Sequence, residues 1–76
     1  MKKRITLINE GFAILVVVQI FRQVYVGEWR CVSERIYRER QQNVYIHLQD
    51  FDEATQRRII TDLLFSGKVA LEFEID

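Results

Sequence analysis

Proline is absent from this 76-residue sequence, glycine occurs three times, and cysteine, histidine and tryptophan occur once each. Without proline, turn-making falls to the isolated Gly11, Gly27 and Gly67, each standing where a turn or a helix cap needs one. None belongs to a phosphate-cradling loop. The lone Cys31 excludes an internal disulfide, and Cys31 with His47 does not supply the four ligands of a structural zinc site. Long apolar runs are also missing. The longest, FAILVVVQIF at Phe12 to Phe21, has only Gln19 as a polar member and is bounded by Gly11 and Arg22. A membrane-spanning helix needs about 20 apolar residues, and no small-x-small cleavage pattern follows the run. It reads as a buried strand, and a cytoplasmic, non-membrane location is the expectation.

What is present is an ordinary globular composition, 49% hydrophobic and 29% charged, with room for one domain over residues 1–76. So small a domain buries only about 60% of the surface its unfolded chain exposes, which leaves little space for a large multi-part active site. Eleven cations balance eleven anions, but unevenly: residues 1–21 carry +2, residues 22–43 carry +2 and residues 44–76 carry −4. Eight of the cations are arginine, the better residue for bidentate contacts to phosphate or carboxylate.

Lys3 to Ile8 alternates as a strand and ends in the turn Asn9-Glu10-Gly11. Phe12 to Phe21 is a central strand, apolar on both sides, which requires cover on both faces or a partner chain on one. Gln23 to Val26 continues extended to a bend or bulge at Gly27-Glu28, and Trp29 to Tyr37 forms a further strand. The polar stretch Arg38 to Asn43 is expected to be the tip of a hairpin whose second arm is Val44 to Gln49, with Val44, Ile46 and Leu48 on one side. Asp50 or Asp52 then caps a helix over residues 52–66, in which Ile59, Ile60, Leu63 and Leu64 recur at helical spacing and Gly67 is the stop. Val69 to Ile75 alternates as a half-buried strand with Val69, Leu71, Phe73 and Ile75 inward. If it pairs with the first strand, Lys2 or Lys3 and Arg4 face Glu72 and Glu74. If it lies at an edge, it can add to a second copy of the chain.

The expected fold is therefore α+β: a small antiparallel sheet or barrel of about five or six strands, one helix near the C-terminus and a final strand. No catalytic set is visible. His47 has no Ser or Cys neighbour to act as its nucleophile, Cys31 reads as an inert strand thiol, and helix capping accounts for Asp50, Asp52 and Glu53 without a metal. The chain reads as a non-enzyme without cofactors. One constellation stands out: Trp29, Arg30, Arg35, Tyr37, Arg38, Arg40 and Tyr45 on the expected hairpin. Arginine forks interleaved with aromatics grip phosphates and stack on bases. Glu28, Glu34 and Glu39 interrupt them, and a solvated hairpin laced with ion pairs has the same composition.

The segments QVYVGEW, NVYIHLQDF and above all FDEATQRRIITDLLF, spread over residues 23–66, resemble the C-terminal half of a PilZ domain. That is the small β-barrel that receives cyclic di-GMP in many bacteria, as in bacterial cellulose synthase. INEGFAILV resembles the strand after the family's Asn/Asp-x-Ser-x-x-Gly motif. The family's Arg-x-x-x-Arg spacing does not occur here, and Asn9-Glu10-Gly11 lacks the serine, so no nucleotide-binding residue carries over. The resemblance implies a shortened, degenerate bacterial regulatory module that acts through protein partners or as a homo-oligomer. Cyclic di-GMP is not expected as its ligand, and nucleic-acid or phosphate binding by the Arg/Tyr hairpin is the second expectation.

Overall fold

Alternating apolar residues build a four-stranded antiparallel sheet in the computed structural model, which describes residues 1–76. The strands are β1 (Lys2–Asn9), β2 (Ile14–Tyr25), β3 (Glu28–Glu39) and β4 (Lys68–Glu74), in the order β3-β2-β1-β4. A 3-10 helix (Gln41–Leu48) and the helix α1 (Glu53–Ser66) lie between β3 and β4 in sequence. The sheet is open. The expected five or six strands become four because the apolar run and Gln23 to Val26 are one long strand, and because Val44 to Gln49 is not a strand.

That second difference has a simple cause. Val44, Ile46 and Leu48 suit a strand face, but at three residues per turn Ile46 falls on the outer row with Asn43 and Gln49 and is 64% exposed, while Val44 and Leu48 are buried. The hairpin arm therefore does not form. The hairpin that does form joins β2 to β3, with Tyr25 opposite Glu28 across Val26-Gly27. Gly27 sits at φ +80°, a conformation only glycine adopts without strain.

The helix begins where the acidic residues predict. Asp52 is the N-cap, its Oδ1 accepting from the Thr55 N–H at 2.8 Å, while Asp50 instead meets Lys3 Nζ at 2.9 Å. Gln56 Nε2 donates to the carbonyls of Leu48 and Phe51 at 2.9 and 2.8 Å, tying the connection between the helices to the first turn of α1. At the other end Gly67 takes φ +82° and its N–H closes on the Leu63 carbonyl at 2.8 Å.

Nine side chains make the core: Ile5 and Leu7 from β1, Ile14 and Val16 from β2, Val44 and Leu48 from the 3-10 helix, and Ile59, Ile60 and Leu63 from α1. Val69, Leu71 and Phe73 pack against them as their alternation predicts. All lie on one face of the sheet. β1 reaches only to the level of Phe21, so β2 and β3 continue past it as a two-stranded ribbon ending in the exposed Val24, Tyr25 and Val26.

β4 is both a neighbour of β1 and an edge strand. Its register sets Arg4 opposite Glu72 and Lys2 opposite Glu74. Arg4 Nη2 meets Glu72 at 2.7 Å, and Lys2 Nζ reaches the same carboxylate at 3.6 Å. Part of the charge asymmetry of the sequence is thereby spent inside the molecule.

Candidate functional site

Strand alternation distributes the seven Arg/Tyr hairpin residues over separate surfaces. Val16 pairs with Tyr37 and Val18 with Arg35, which places both on the face that carries the helices. One extra β3 residue, Val32, lies between Ser33 opposite Ile20 and Cys31 opposite Phe21; this bulge moves Trp29 onto the bare face and Arg30 onto the helix side. Arg38, opposite Leu15, is on the bare face. Arg40 precedes the 3-10 helix, and Tyr45 lies within it, against the core. Arg30 lies 4.0 Å from Glu28 and Arg38 lies 3.3 Å from Glu10. Tyr37 faces the half-buried His47, ring centroids 4.5 Å apart, and His47 Nε2 stands 3.8 Å from Glu39.

The bare face carries a different grouping. Phe21 lies opposite Lys2 on β1, and Trp29 stands opposite Gln23 on the same side. Lys2 Nζ sits 4.4 Å from the Trp29 ring centroid and Arg4 Cζ 4.8 Å from that of Phe21. With Glu72 these four residues line a shallow cavity of about 220 Å³. Hydrogen bonding from Arg4 holds the Glu72 carboxyl below its ordinary range, helped by the charges of Arg4 and Lys2 and opposed by partial burial. Such a cluster offers two aromatic surfaces, two cations and one anion to a flat, charged partner. Of its members only Trp29 stands out in the sequence as a ligand-binding candidate. Phe21 joins it through the β2–β3 turn, and Lys2 and Arg4 through a register with β1 that spacing alone does not fix.

Beside the cluster, Thr6 opposite Val17 and Ile8 opposite Leu15 continue through Val17 opposite Ile36. The result is an apolar band of Ile8, Leu15, Val17 and Ile36 with no helix over it, in which Ile36 is 58% exposed. A second concavity, of about 460 Å³, lies at the β1–β2 turn between Phe12, Leu64, Arg40 and Gln41. Phe12, expected within the central strand, falls in that turn and is 83% exposed. No three His, Cys, Asp or Glu side chains converge as a metal set, and no helix is long and apolar enough to cross a membrane. Comparison with protein-family models, curated proteins and solved structures returned no match.

Proposed function

We propose that this chain is a non-enzymatic interaction or regulatory module that works by protein–protein association, with a partner or with its own copies. The observation that carries the reading is the one-sided sheet. Both helices cover one face, while the other presents the Ile8, Leu15, Val17 and Ile36 band between charged rims, and both outer strands have a free edge. A likeness to a PilZ domain, part of the same proposal, rests on FDEATQRRIITDLLF, residues 51–65, most of which lies in the helix Glu53–Ser66 that covers one face of the sheet.

A second reading, a nucleic-acid or phosphate-ligand binder, is favoured by the Lys2, Arg4, Phe21 and Trp29 cluster rather than by the Arg/Tyr constellation. One series of measurements separates the two. Light scattering and sedimentation of the native chain and of Ile36→Lys are expected to show an assembly that the substitution abolishes without changing the circular dichroism. A monomer that also binds single-stranded RNA at low salt, about tenfold more weakly after Trp29→Ala, would overturn the first reading in favour of the second.

A further inference from the structure

We infer that β3 is a homodimerisation edge, and that two copies join antiparallel about a two-fold axis at Ile36 to make one continuous eight-stranded sheet. The inference rests on the association reading and names its partner, a second copy, and its register.

The bulge at Val32 divides β3 and leaves residues 33–39 as its regular half. In an antiparallel pair, residues directly opposite lie on the same face, so a two-fold axis at residue 36 sets each position against the one equally far on the other side. On the bare face Ile36 then meets its own copy, and Glu34 meets Arg38 twice by symmetry. On the helix side Arg35 meets Tyr37 twice, a cation over an aromatic ring. Both charged partners have capacity to spare: Glu34 uses one carboxylate oxygen to accept from Gln19 at 2.9 Å, and Arg38 meets Glu10 through Nε alone at 3.3 Å. Arg35, exposed and facing the helix side, has no ion pair within the chain.

Other registers serve less well. An axis at 34, 35 or 38 sets Glu34, Arg35 or Arg38 against its own copy; an axis at Tyr37 pairs Arg35 with Glu39 but sets Ile36 against Arg38 and keeps only residues 35–39 in register. The Ile36 axis also joins the two apolar bands across the dimer into one patch. β4 can set Lys68 against Glu74 about Leu71, but Glu72, near the centre of that seven-residue edge, is already held by Arg4 and Lys2.

The test is charge exchange in a Cys31→Ser background, which removes the exposed thiol. The native sequence is expected to sediment as a dimer. Arg38→Glu and Glu34→Arg, each placing like charges opposite one another twice, are expected to raise the dimer Kd about tenfold or more, and the double exchange to restore it. Circular dichroism of each single variant checks that it folds. A dimer that ignores all three variants overturns the β3 edge and leaves the association reading standing; the same exchange at Lys68 and Glu74 then locates the interface. A chain that stays monomeric overturns the β3 edge and self-assembly together, and retention of a protein partner by the monomer then decides the association reading separately.

Discussion

Two carboxylates with lowered pKa tie single residues to the stability of the whole chain. Asp52 is held down first by the Thr55 side chain, then by the Thr55 N–H, with the Arg58 charge adding to both and desolvation opposing them. Glu72 is held down by Arg4 in the same way. At neutral pH both are ionised in the folded and the unfolded chain, so their full contribution is present. As pH falls, the unfolded chain takes up protons first, at ordinary carboxylate values, and the contribution shrinks from there until it vanishes below the folded values. The urea midpoint is therefore expected to fall through the acidic range, and less steeply in Asp52→Asn and Glu72→Gln. A profile unchanged by both substitutions would place the acid sensitivity elsewhere.

At the scale of elements, β1, β4 and α1 were legible because each has one period and one terminating signal: Asn9 and Gly11 for β1, Asp52 and Gly67 for α1, unbroken alternation for β4. The stretch Gln41 to Leu48 was not. Its residues fit the alternation of a strand and equally a three-residue turn that puts Asn43, Ile46 and Gln49 outside, and only packing beneath β2 and β3 selects the second, burying Val44 and Leu48. The candidate site suffered from a related ambiguity, since the polar stretch Arg38 to Asn43 looks like a hairpin tip, while the hairpin turns at Val26-Gly27, where the sequence shows only the bend or bulge of Gly27. Substitution separates the two periods. Val44→Asp is expected to cost several kcal/mol, roughly the 2–5 kcal/mol of a lost core side chain or more, because it buries a charge beside Leu48. Ile46→Lys is expected to change stability by no more than about 0.5 kcal/mol. A large loss at Ile46 in chemical unfolding would contradict the 3-10 assignment.

The whole molecule is longer than it is wide, 39 by 23 by 20 Å, and its buried side chains are gathered at one end. Charge is organised along the same body: the cations of β1 meet Glu72 across the sheet and Asp50 ahead of α1, so part of the basic first third is balanced by acidic residues distant in sequence. No cut of the sequence into thirds shows that, because the pairing depends on β1 and β4 becoming neighbours. The two-stranded ribbon at the far end has a mechanical consequence. Beyond Phe21 the only support for β2 is β3, so one strand passes from a clamped root to a free lever arm. Amide hydrogen exchange is expected to record this as a gradient along that single strand, slowest from Ile14 to Val18, where opening requires the core to come apart, and fastest from Arg22 to Tyr25, where the ribbon frays alone. A partner grasping the tip would thus hold a hinged extension whose motion is decoupled from the folded body.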